Sequence, residues 1–179
     1  MKVFAVGLVV MSCLSCAPVV SQVTPTTSVA NAAQTSRPAP TPEAVDQSGA
    51  PVDFAALYRR GPVLVYFYPK ADTPGCTAQA CSLRDSYEKL SQAGLTVIGV
   101  STDDAAAQKA FQEKYSLPFI LIPDPKGKVL EAFGVNSRMG MARREAFLIR
   151  DAEIVWHDGS ASTDKQAEDV LEQLESWKR

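Results

Sequence analysis

Between residues 63 and 90 the chain changes its hydrophobic period, and the change falls on the run Pro69-Lys70-Ala71-Asp72-Thr73-Pro74-Gly75-Cys76. Residues 63–68 are β-branched, aromatic and apolar over a strand's length, the pattern of a central strand covered on both faces. Pro69 lacks the N–H a sheet ladder needs and ends the strand. Thr73 followed by Pro74 is a helix start, because threonine caps free backbone N–H groups and proline suits the first helical position. Cys76 then falls in the first turn, where unpaired N–H groups and the positive end of the helix dipole favour a thiolate, the nucleophilic form, over a thiol.

The helix is traced by Cys76, Ala80, Leu83, Tyr87 and Leu90, which recur at three and four residues and predict one buried stripe. Cys81 lies five positions after Cys76, turned about 140° from it and about 7.5 Å along the axis. Helix geometry puts the two Cα atoms roughly 8.6 Å apart, beyond the limit of about 7 Å for a disulfide. If the two thiols pair, the helix unwinds first. Two cysteines on one helix also fit inert packing, Thr73 a plain cap and Pro69 a plain strand end. The strand-turn-helix context with its Thr-Pro start favours the reactive reading.

The Phe67 to Pro69 segment, Thr73-Pro74-Gly75-Cys76-Thr77 and the Cys76/Cys81 spacing resemble the peroxiredoxins, specifically the PrxQ (bacterioferritin comigratory protein) subfamily. The resemblance implies an α/β, thioredoxin-like fold: a central mixed β-sheet flanked by helices. It implies a thiol-dependent peroxidase that uses no metal, haem or flavin. Cys76 would be oxidised to a sulfenic acid and Cys81 would resolve it as an intramolecular disulfide. Thr73 and Arg144 would orient the peroxide, Pro69 would shield the thiolate, and a thioredoxin-like partner would restore the dithiol. The resemblance, aligned on Phe147-Leu148-Ile149, selects Arg144 over Arg143, and strand alternation sets Arg144, Ala146 and Leu148 on one face and Arg143 on the other, so the two are not interchangeable. An internal resolving cysteine makes a monomer sufficient.

Two other classes compete. A thiol-disulfide oxidoreductase would carry Cys-x-x-Cys rather than the Cys-x-x-x-x-Cys found here. A noncatalytic, lipid-anchored thioredoxin-fold module would show no fast thiol chemistry.

Elsewhere the chain is less specific. The formal net charge of -2 gives no reason to expect nucleic acid, and four cysteines with one histidine, His157, are a poor inventory for zinc. Lys2 and the apolar residues 3–11 resemble a short export signal, and Leu14-Ser15-Cys16-Ala17 a lipobox, with Cys13 as an earlier candidate. Residues 1–16 therefore read as a signal and the protein as an exported, periplasmic lipoprotein anchored through Cys16. Residues 17–45, rich in Pro, Ser and Thr, read as an extended linker, and 46–179 as the folded domain. Pro40-Thr41-Pro42-Glu43-Ala44-Val45 replaces the family's apolar Pro-x-Phe opening, so a frayed or shortened first hairpin is expected.

Asp46-Gln47-Ser48-Gly49 reads as a turn and residues 52–57 as weak strand or helical turn. Strands are expected at 95–101 and 119–122, a helix capped near Asp104 through Tyr115, and a short helix at 128–133. A hairpin about Asp151-Ala152 and a final helix capped by Thr163, with Val170, Leu171, Leu174 and Trp177 on its apolar face, complete the chain. His157, at a strand end, is expected to be solvated and to take no part in catalysis.

Overall fold

The computed structural model describes residues 36–177. Its centre is β2 (Val63–Phe67), where every residue is buried, the outcome expected of an unbroken apolar run. Parallel to it run β3 (Thr96–Ser101) and then β4 (Ile120–Pro123); antiparallel on its other side lie β7 (Glu145–Arg150), β8 (Glu153–Asp158) and β1 (Arg37–Pro38). The sheet is thus mixed and six-stranded. A separate small hairpin pairs β5 (Ser137–Arg138) with β6 (Met141–Ala142).

Strand alternation divides the core into two layers. Leu64, Tyr66, Ala146 and Leu148 face the helices α2 (Pro74–Asp85), α3 (Tyr87–Gln92), α4 (Ala105–Tyr115) and α6 (Gln166–Ser176). Val63, Val65, Phe67, Phe147 and Ile149 face α1 (Phe54–Arg60) and α5 (Lys128–Phe133). This is the layered, thioredoxin-like α/β architecture that the alternation of elements predicts. Tyr66 lies across Gly99, its neighbour on β3, so closely that a Cβ at Gly99 would meet the phenol oxygen at 2.7 Å. Only glycine fits there.

Several local expectations change. The single helix expected from Cys76 to Leu90 breaks at Ser86, whose backbone (φ -100°, ψ 6°) leaves the helical region, so α2 and α3 are separate. The apolar stripe survives the break: Cys76, Ala80, Leu83 and Leu90 are all buried and Tyr87 packs at the edge. Thr163 does not cap the final helix, which starts three residues later. The Ser162 hydroxyl accepts the Lys165 N–H at 3.1 Å and shapes that turn instead.

Of residues 52–57, Phe54 onward resolves as helix, continuing to Arg60, and the Asp53 carboxylate caps it by accepting the Ala56 N–H at 2.9 Å. The Asp46 turn forms through its carboxylate, which accepts from the backbone of Ser48 and Ala50. The shortened first hairpin is reduced to one bridge, between Val45 and Pro51.

The stretch expected to be linker is partly sheet. Arg37 and Pro38 pair with Ile154 and Glu153, and the Tyr58 hydroxyl donates to the Pro40 carbonyl at 2.8 Å. A proline-rich segment can hold an edge position, where a missing N–H costs little. The expected signal, with Cys13 and Cys16, lies outside the described residues. Among the described residues no helix is long and apolar enough to cross a membrane.

Candidate active site

The loop that joins β2 to α2 is held from both ends. The Asp103 carboxylate accepts the Ala71 N–H and the Ser101 hydroxyl, both at 2.7 Å. Gln108 donates to Ser101 at 2.8 Å and accepts from the Tyr68 hydroxyl, which links the loop to the end of β2 through buried polar groups. Asp72, in the left-handed region at φ 57°, is gripped by Lys114 Nζ at 2.7 Å and by the Tyr115 hydroxyl at 2.6 Å. Those two hydrogen bonds, Lys114 first, hold the Asp72 carboxyl below the usual range.

Thr73 precedes α2 with extended backbone, yet its hydroxyl donates to the Lys70 carbonyl at 2.9 Å rather than capping the helix. Pro74 takes the first helical position. The first bond of the ladder runs from Thr77 N–H to the Thr73 carbonyl at 2.8 Å. The N–H groups of Gly75 and Cys76 precede that ladder and point outward from the helix start.

Cys76 is buried, 1% exposed, and Arg144 Nη2 stands 3.3 Å from its sulfur. The guanidinium comes from the residue before β7, whose antiparallel pairing of Glu145 with Phe67 sets Arg144 beside the end of β2. Its other arm, Nη1, donates to Gln79 on α2, and Gln79 Nε2 donates to Gln166 on α6 at 2.8 Å. Gly75 makes room for the guanidinium, since a Cβ there would lie 3.3 Å from Arg144 Nη2 and 3.5 Å from the Thr163 methyl. Arg143 is exposed, on the opposite alternation.

Cys81 lies farther along the continuous α2, half-buried, and both cysteines are free thiols. Pro69 is half-buried at the end of β2. The expected site residues thus gather at one end of the sheet, with direct contact between Cys76 and Arg144. His157 is elsewhere: its ring stacks on Phe147 at 4.3 Å, Nε2 is 2.8 Å from a Glu145 carboxylate oxygen, and both residues lie on the other face of β7.

Sequence reasoning passed over Gln79 and Gln166, both fully buried. The signal was present. Gln79 stands three residues after Cys76 and four before Leu83, and Gln166 four before Val170, so each is a polar residue on an apolar helix face.

The AhpC/TSA family profile matches residues 35–157. Peroxiredoxin Q, chloroplastic, from Sedum lineare is 40% identical over 137 residues, 74% of this chain and 73% of that protein. Peroxiredoxin Q, chloroplastic, from Oryza sativa subsp. japonica is 54% identical over 90 residues, 50% of this chain and 41% of that protein. Among solved structures, Peroxidoxin BcpB from Mycobacterium tuberculosis superposes with a TM-score of 0.74 at 32% identity, covering 80% of this chain and 97% of that one.

These relatives correct one expectation from sequence. The curated proteins are chloroplastic peroxiredoxins, not periplasmic lipoproteins, which overturns the exported, membrane-anchored assignment drawn from Cys16. A charged residue, a short apolar run and a cysteine near the start carry too little information to fix a destination. From the profile, the relatives and the shared fold, the chain belongs to the AhpC/TSA family, as a thiol-dependent peroxidase of the peroxiredoxin Q kind.

Proposed function

We propose that Cys76 is the peroxidatic thiol, Cys81 the resolving thiol, and Arg144 the group that holds both thiolate and peroxide, with hydrogen peroxide or an organic hydroperoxide as substrate. The observation that carries this reading is the 3.3 Å contact of Arg144 Nη2 with Cys76 Sγ in the first turn of α2. A guanidinium only donates, so the sulfur facing it accepts, which a thiolate does better than a thiol.

In the first step the Cys76 thiolate attacks one peroxide oxygen. The S–O bond forms as the O–O bond breaks, and the leaving oxygen departs as water or an alcohol after taking a proton. Negative charge grows on that leaving oxygen, where Arg144 and the N–H groups of Gly75 and Cys76 meet it; losing one such donor costs about 10²–10³ in rate. The Thr73 hydroxyl oxygen accepts from the peroxide while its own O–H goes on donating to the Lys70 carbonyl. Pro69 keeps water from the sulfur.

In the second step the Cys81 thiolate attacks the sulfenic sulfur, the S–S bond forms as the S–O bond breaks, and the departing hydroxide takes a proton, here the one Cys81 gave up to solvent on becoming a thiolate, to leave as water. Peroxiredoxins act on peroxides with a thioredoxin-like reductant, and here that reductant exchanges the Cys76-Cys81 bond back to two thiols. Both cysteines sit in one chain, so a monomer completes the cycle. The peroxidase domain starts near Arg37, where the sheet does, and extends through α6.

A single-turnover experiment tests this reading. The reduced full-length chain receives one equivalent of hydrogen peroxide, is quenched within seconds and is peptide-mapped by mass. A Cys76-Cys81 disulfide is expected, and unchanged thiols at both positions would refute the assignment.

A further inference from the structure

Behind Arg144 the polar contacts run inward. Arg144 Nη1 donates to Gln79 Oε1, and Gln79 Nε2 donates to Gln166 Oε1 at 2.8 Å. Both glutamines are 0% exposed. The direction of this chain is forced, because the guanidinium has no acceptor. Gln79 must turn its oxygen to Arg144 and its nitrogen to Gln166, and Gln166 must answer with oxygen. The Gln166 Nε2 is then left buried with no partner.

An unpartnered buried donor costs about 1–3 kcal/mol, and an apolar side chain of similar length would avoid that cost. The glutamine oxygen, by contrast, is in use as the acceptor for Gln79 Nε2. Gln166 opens α6, and the neighbouring Ala167 N–H bonds the Ser82 hydroxyl of α2 at 3.3 Å, so the start of α6 is fixed against the helix that carries Cys76.

We propose that Gln166 is a positioning residue for the peroxidase reaction: by accepting from Gln79 it locks the Gln79 amide with its oxygen toward Arg144, and so holds the guanidinium on Cys76 Sγ. The inference rests on the roles assigned above to Cys76 and Arg144. Without the Gln166 oxygen, the Gln79 Nε2 is buried with no acceptor, and the Arg144 contact alone opposes a turn of the amide toward another partner. Its flipped form sets N–H groups against the guanidinium and drives Arg144 off the sulfur.

The test compares the second-order rate constant of Cys76 oxidation by hydrogen peroxide, followed by quench and mass mapping, in full-length wild type, Gln166→Met, Gln166→Glu and Leu174→Ala. Gln166→Met, which fills the space without an acceptor, lowers the rate about tenfold. Gln166→Glu, which accepts from Gln79, restores most of it. Leu174→Ala loosens the same helix without touching the amides; it lowers the melting temperature and leaves the rate unchanged.

A wild-type rate in Gln166→Met, or a loss that Gln166→Glu fails to rescue, overturns the proposal. If Gln166→Met does not fold, Gln166→Ser withdraws the same acceptor from a smaller side chain, with the same loss expected and a wild-type rate again overturning it. Failure of wild-type Cys76 to oxidise would instead remove the underlying assignment, a result distinct from any difference among the variants.

Discussion

Arg144 Nη2 reaches Cys76 Sγ at 3.3 Å across a sequence separation of 68 residues. The contact depends on topology. β7 runs antiparallel to β2, so the residue just before β7 lies beside the loop that follows β2, where α2 also starts. A helix start and a strand start meet, and a permanent cation is delivered to the sulfur.

Replacing that cation by a smaller one separates charge from geometry. In Arg144→Lys the ammonium keeps the charge but cannot serve Cys76 and Gln79 with two fixed arms. The first oxidation should slow by about 10²-fold, whereas Arg143→Lys, on the exposed alternation, should react as wild type. Stopped-flow or quenched oxidation with hydrogen peroxide measures both. Equal losses in the two variants would remove Arg144 from its role.

Gly75→Ala sets stability and activity against each other. Alanine in place of glycine inside a helix stabilises by about 0.5–1 kcal/mol. The added Cβ, however, would stand 3.3 Å from Arg144 Nη2 and must displace it by a few tenths of an ångström. The expected outcome is a melting temperature equal to or above wild type with a reduced rate of Cys76 oxidation. A faster reaction, or an unchanged one, would mean that the guanidinium has room to spare.

Much of this site was legible because its signals are local. The run at residues 63–68, Pro69 and the Thr73-Pro74 start fix a strand, a stop and a helix within a few residues of Cys76. Choosing Arg144 over Arg143 came from the family pattern aligned on Phe147-Leu148-Ile149, and strand alternation added only that the two arginines take opposite faces. The partners of Arg144 were not legible in that way. Gln79 and Gln166 join only when α6 docks on α2, and helix docking leaves no periodic mark beyond a polar residue on an apolar face. Thr73 and Thr163 misled as caps for a related reason: another acceptor or donor nearby, the Lys70 carbonyl for one and Ser162 for the turn of the other, took the local hydrogen bond. Arg37 and Pro38 joined the sheet through backbone pairing with β8, which composition does not report.

The grip on Asp72 should appear in acid unfolding. Its hydrogen bonds from Lys114 and Tyr115 depress the folded-state carboxyl below the usual range. A group depressed in the folded state stabilises above its unfolded value, and the contribution is lost as pH falls through the folded value. Lys114→Met should therefore be less stable than wild type at neutral pH, and the gap should close in strong acid. Because the pair is exposed, added salt should narrow the gap as well. Urea titrations at neutral and acidic pH check this, and a gap independent of pH would show that Lys114 acts through packing alone.

The resolving step predicts a trade between helix stability and disulfide formation. Cys76 and Cys81 share the unbroken α2 and face directions about 140° apart, so their bond requires α2 to unwind locally. Leu83 anchors that helix and is fully buried beneath it. Leu83→Ala should cost about 2–5 kcal/mol of stability and speed the conversion of Cys76 sulfenic acid to disulfide. The first oxidation, which uses the folded helix start, should gain nothing. In Cys81→Ser the sulfenic acid should form at the wild-type rate and persist long enough to be trapped by a dimedone-type reagent. Time-resolved quenching and mass analysis separate the two steps. If Leu83→Ala forms the disulfide no faster than wild type, unwinding of α2 is not the barrier, and access of Cys81 to the sulfenic sulfur must come from motion of the loop before Cys76.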